Sequence, residues 1–198
     1  MQSVLGPEYA YTGAPEFSLT KKTPFGHQVL GVDLSGARAP ERLLQFDVGV
    51  WHEAYEATRV RLGLARTPKG VLHFFQNTLN AASDWQKLKK FGEEGMWIVN
   101  LNEDPKSVVG KVVPFVLAAV QEICGTAGDL RKVRKLLERD RGHFLTFNAG
   151  EEVALIDATL EDWKHLGAFL KDKESPLAGG VDRKLVKKIE KEFGVKIS

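Results

Sequence analysis

Hydrophobic and polar positions alternate most regularly over residues 43–51, where Leu44, Phe46, Val48 and Val50 fall on one side and Gln45, Asp47, Gly49 and Trp51 on the other. A period of two with one polar side marks an antiparallel strand that keeps one face in water. Residues 17–23 and 27–34 flank the turn Pro24-Phe25-Gly26 and read as a hairpin. Residues 71–79 are rich in β-branched and aromatic side chains, which suits a further strand, and residues 95–101 read as another, buried strand. Residues 53–61 fit either a short helix or a continuation of the preceding strand. Asn80 or Ser83 is placed to cap a short helix carrying Trp85 and Leu88.

The pattern then changes period. Asp104 before Pro105 sets an N-cap acceptor in front of the residue favoured at the first helical position, and Val109, Val112, Val113, Val116, Val120 and Ile123 recur at three- and four-residue spacing. This predicts the central core helix, with a kink at Pro114 or a start near it, because proline removes a backbone donor. Asp129 is expected to cap a second helix running to Arg139, with Leu130, Val133 and Leu137 inward. Residues 143–147 and 153–156 look like short strands paired around Asn148-Ala149-Gly150. Thr159 with Asp162 resembles a capping box for a helix carrying Leu160, Trp163, Leu166 and Leu170. Residues 175–180 break all periodicity, and Asp182 then opens a last amphipathic helix with Leu185, Ile189 and Phe193 on one face.

Strands first and helices later argue for an α+β fold: a mostly antiparallel sheet of about five strands, helices packed on one face, and a C-terminal amphipathic helix. The organisation expected is an irregular N-terminal segment (1–15), one α+β domain (16–173), a linker (174–181) and the terminal helix (182–198). With 198 residues, 43% hydrophobic and 27% charged, the chain is of ordinary globular composition and long enough to bury a core unaided. The only cysteine, Cys124, excludes an internal disulfide and multi-thiolate zinc sites, so a reducing, cytoplasmic setting is expected. The apolar stretch 108–120 is too short to span a bilayer, and the first fifteen residues lack signal-peptide character, so no membrane partner is expected.

Candidate chemistry is sparse. The glycines match neither the phosphate-loop nor the dinucleotide spacing. The five histidines form no chelating pair, so no cofactor and no metal are expected. His27, Asp33, Asp47 and His52 lie on neighbouring predicted strands and define the one conceivable His/Asp site, that of a small hydrolase. Cys124 reads as a small buried hydrophobe. The net charge of +2 favours no polyanion, but Arg131, Lys132, Arg134, Lys135, Arg139 and Arg141 cluster. That run makes a nucleic-acid-binding protein using residues 131–141 the alternative reading, although Glu138 and Asp140 interrupt it.

The leading expectation is a non-enzymatic, protein-binding module of immunity or accessory type. Its contacts would come from Trp51, Asp47 and Gln45 on the wet sheet face and from Leu185, Ile189 and Phe193 on the terminal helix.

Overall fold

A computed structural model describes residues 10–11, 18–35, 40–67, 72–77, 96–139 and 148–197. The helix expected after Asn80 or Ser83, the strand at 143–147 and Arg141 lie outside these residues. The chain divides into two compact units, Met1–Trp51 with Gly70–Gly128 and His52–Lys69 with Asp129–Ser198.

The first unit is built on β-structure. Strands β1 (Ala10–Tyr11), β2 (Ser18–Thr23), β3 (Gly26–Ser35), β4 (Glu41–His52) and β5 (Phe74–Asn77) follow one another in space, and β6 (Met96–Asn100) also pairs with β4. The registered pairs are antiparallel. The β2–β3 hairpin closes at Thr23 opposite Gly26 around Pro24-Phe25, and Gly26 takes the positive φ that the turn requires. Residues 10–11, expected to be irregular, instead extend this hairpin by pairing with β2. In β4 the alternation does what the sequence demands: Leu44, Phe46, Val48 and Val50 are all buried. The registers Glu41 to Gln45 with β6 and Asp47 to Val50 with β5 set those two strands end to end along β4.

Helix α2 (Pro105–Ala127) completes this unit. The Asp104 side chain accepts from the Lys106 N–H at 3.3 Å and Pro105 opens the first turn, as the sequence predicts. The helix does not start near Pro114, which lies within it and is exposed, while Val112, Val113 and Val116 are buried.

The second unit is helical. It holds α1 (Glu53–Arg61), α3 (Leu130–Arg139), α4 (Ala149–Leu160), α5 (Trp163–Lys171), a 3-10 turn at Ala178–Gly180 and α6 (Arg183–Phe193). Helix α4 is its axis: α1, α3, α5, α6 and the 3-10 turn all pack on it, and every side chain from Val153 to Ala158 is buried. A helix enclosed on all sides has no polar stripe to reveal its period. Residues 153–156, expected to be a strand, are therefore helical without showing it in their pattern, and Asn148, expected in a turn, is the N-cap, accepting from Glu151 N–H at 3.3 Å. The expected capping box is also replaced. Thr159 belongs to α4, its hydroxyl donating to the Leu155 carbonyl at 2.8 Å, and Asp162 alone caps α5 by accepting from His165 N–H at 3.2 Å.

The terminal helix belongs to this unit as well. Asp182 caps it by accepting from Lys184 N–H at 2.8 Å, Gly194 ends it in the left-handed conformation, and Leu185 and Ile189 are buried. The connection before it is packed and not free: Leu177 is buried, and its carbonyl lies so close to Gly150 that a Cβ there would collide with it. Among the described residues no helix is long and apolar enough to cross a membrane.

Candidate functional site

Two constellations stand out, one in each unit. In the sheet unit, Trp51 lies on the face of β4 opposite Phe46, Val48 and Val50, half-buried between two imidazoles. The rings of His27 and His73 each stack on it at 5.6 Å between centroids, tilted by 21° and 25°. Strand order explains the arrangement. His27 comes from β3, next to β4, and the His73 N–H donates to the Val50 carbonyl at 3.0 Å, continuing the β4–β5 pairing by one residue. The indole is therefore clamped in one orientation while part of its surface still meets solvent. Asp47 shares this face, half-buried, where a Cβ on Gly31 would lie 3.7 Å from its own. Gln45 alternates to the same side of the strand, but its side chain is outside the described residues.

In the helical unit, charges converge around Asp157, whose side chain is fully buried on α4. One carboxylate oxygen accepts a short hydrogen bond from Arg134 Nη1 of α3, and the other lies 2.7 Å from His165 Nδ1 of α5. The same Arg134 nitrogen donates to Asp162 at 2.9 Å, and His165 Nε2 lies 3.1 Å from Glu138. Burial raises the Asp157 carboxyl above the ordinary range even though His165 and Arg134 pull it down. Glu138 is likewise raised by burial against the pull of His165 and Arg134, whereas the hydrogen bond from Arg134 lowers Asp162. Both ring nitrogens of His165 thus face carboxylates. This geometry ties α3, α4 and α5 together and leaves neither nitrogen directed at a substrate.

A second buried pair lies on α4. The Tyr55 hydroxyl of α1 donates a short hydrogen bond to Glu152, and burial raises both groups. A carboxyl raised on folding favours the native state most when it is protonated. The stability associated with Glu152 is thus complete below the unfolded carboxyl range and declines as pH rises through the raised folded value. Glu152→Gln mimics the protonated form and should be more stable than the native chain at neutral pH. That advantage should disappear as pH falls below the unfolded value, which urea melts at a series of pH values would show. An advantage independent of pH would remove this account of Glu152.

The remaining residues singled out in the sequence fall as follows. The stack places His27 on the Trp51 side of the sheet, Asp47 is there too, and strand alternation sends His52 to the opposite side, so these do not form one constellation. The Asp33 side chain lies outside the described residues. Among the described residues no group of three or more His, Cys, Asp or Glu is placed to hold a metal ion. Cys124 is buried and burial pushes its thiol up to about 12, which suppresses the thiolate a nucleophile would need. Leu185 and Ile189 are consumed in the core of their own unit. Phe193 is half-buried, its ring 5.1 Å from that of Trp163 and 4.1 Å from the Arg61 guanidinium. In the basic run, Arg131, Lys132, Lys135 and Arg139 are exposed, while Arg134 is buried in the Asp157 network.

Sequence reasoning missed His73 and the Asp157 network. The signal for the network was present, since Arg134 stands on the apolar stripe of Leu130, Val133 and Leu137, the position of a side chain that turns inward. Comparison with family models, curated proteins and solved structures gave no match, so the site rests on its own geometry.

Proposed function

We propose that the chain is a cytoplasmic, non-enzymatic protein-binding module whose contact surface is centred on Trp51. The observation that carries this reading is the clamp of His27 and His73 on an indole that stays partly exposed. Tryptophan is among the side chains that most often dominate binding energy, and an anchor already held in one rotamer loses less entropy on association. Asp47 and Gln45 on the same side of β4 would supply the polar rim that fixes a partner's orientation. Leu185 and Ile189 support the fold of their own unit, which narrows the proposed surface to the sheet.

The titratable groups are engaged in ways that favour binding over catalysis. The imidazoles of His27 and His73 stack on Trp51, the ring nitrogens of His165 face carboxylates, and the Cys124 thiol is held protonated. A single thiol kept in that form also suits a reducing compartment.

The test is capture from a native lysate with the wild-type chain and Trp51→Ala as baits, followed by reconstitution of the captured protein with each purified bait. Loss of the anchor should weaken binding about 30-fold, a cost of about 2 kcal/mol. Equal affinity for both baits, or capture of nucleic acid alone, would overturn the reading.

A further inference from the structure

The geometry points to the exposed face of α3 as a contact surface for the phosphate backbone of double-stranded nucleic acid, separate from the Trp51 surface. The helix has sorted its charges. Arg134 turns inward to Asp157 and Asp162, and Glu138, the only acid within the helix, is held by His165. Glu138 is exposed at the edge of the outer face, and the other exposed charges of the helix are all basic: Arg131, Lys132, Lys135 and Arg139. At 3.6 residues per turn these four fall within an arc of about 100°, on the side of the helix away from Leu130, Val133 and Leu137. No described carboxylate side chain pairs with any of the four. Asp129 nearby caps the helix by accepting from the backbone N–H groups of Arg131 and Lys132.

The shape of the row chooses among polyanions. From Arg131 through Lys135 to Arg139 the charges advance about 6 Å per step, close to two phosphate rises along one strand of a duplex at about 3.4 Å each. The row carries no aromatic side chain on which an unpaired base would stack, which disfavours single strands. It also presents no large apolar side chain among its four members to enter a lipid surface, which disfavours a membrane. Cations spaced to follow successive phosphates position the helix on the backbone, which predicts binding with little sequence preference. The field of the unit agrees, since His52–Lys69 and Asp129–Ser198 together hold 19 Lys and Arg against 15 Asp and Glu.

The test is fluorescence anisotropy of the full chain with a labelled random-sequence duplex at salt concentrations between about 50 and 200 mM. Four phosphate contacts predict a slope of log K against log salt of about −3.6. Replacing Arg131, Lys132, Lys135 and Arg139 by alanine, which favours helix, should abolish binding while far-UV circular dichroism stays unchanged. Each single replacement should lower the slope by about one. A comparator removes the same charge from α6 through Lys184→Ala, Lys187→Ala, Lys188→Ala and Lys191→Ala, and should bind like the wild type. Equal loss in the two quadruple variants, no binding at the lowest salt, or tighter binding to phosphatidylserine vesicles than to duplex would each overturn the assignment.

Discussion

Asp157→Ala is expected to cost the helical unit about 3–5 kcal/mol, because it strands a buried guanidinium without its main partner. The Asp157 side chain is wholly inaccessible and that of Arg134 is 9% exposed, so water has little access to replace the lost carboxylate. Asp162 remains for Arg134, but it is partly exposed and pairs with the guanidinium at the rim of the network. His165 also loses the Nδ1 partner that links α5 to α4. The raised Asp157 carboxyl shows that burial outweighs the attraction of its partners. A pair of this kind is expensive to break and inexpensive to replace: Asp157→Leu combined with Arg134→Met should recover most of the loss, since neither charge is then buried. Urea denaturation of the two single variants and the double variant measures this directly. A loss under about 1 kcal/mol for Asp157→Ala would mean that the network does not hold the helices together.

How much of this was legible follows from which periodicities survive burial. Strand β4 and helix α2 each have one polar and one apolar side, so alternation at Leu44 to Val50 and three- and four-residue spacing at Val112 to Val116 identified both. The caps Asp104, Asp129 and Asp182 were legible because a short polar side chain before an apolar run has a local purpose that needs no tertiary knowledge. Helix α4 has no such asymmetry. Enclosed by its neighbours, it shows a continuous apolar run that a buried strand would also show, so residues 153–156 read as a strand and Asp157 after them was not singled out. With α4 misread, the partners of Asp157 had nothing to converge on. The Trp51 clamp was half legible: alternation assigned Trp51 its face, but His73 reaches it only through a register between β4 and β5 that no local pattern encodes.

The terminal helix shows why an amphipathic pattern alone does not distinguish a docked helix from an offered one. Leu185, Ile189 and Phe193 would look the same in sequence if they waited for a partner's groove, and the preceding Ser-Pro-Leu-Ala-Gly-Gly segment permits both outcomes. In the structure the choice is made by α4, on which α6 packs, with Ile189 fully inaccessible. The end of the chain folds back onto the helix too: Ile197 is buried and its N–H donates to Glu190 at 2.8 Å, while Arg61 of α1 pairs with Glu192 at 3.0 Å. Those polar contacts are at the rim and contribute little beside the burial of Ile189. Ile189→Ala should therefore destabilise the helical unit by about 2–5 kcal/mol, through lost transfer energy and the cavity left behind. Hydrogen exchange should show faster exchange along Arg183–Phe193 and in α4 together, because the two helices share the damaged contact. The solvent-facing Lys187→Ala should alter stability by no more than about 0.5 kcal/mol. Should Ile189→Ala leave stability and exchange unchanged, the helix would be resting on its unit without supporting it, and its apolar face would return to consideration as a surface for a partner.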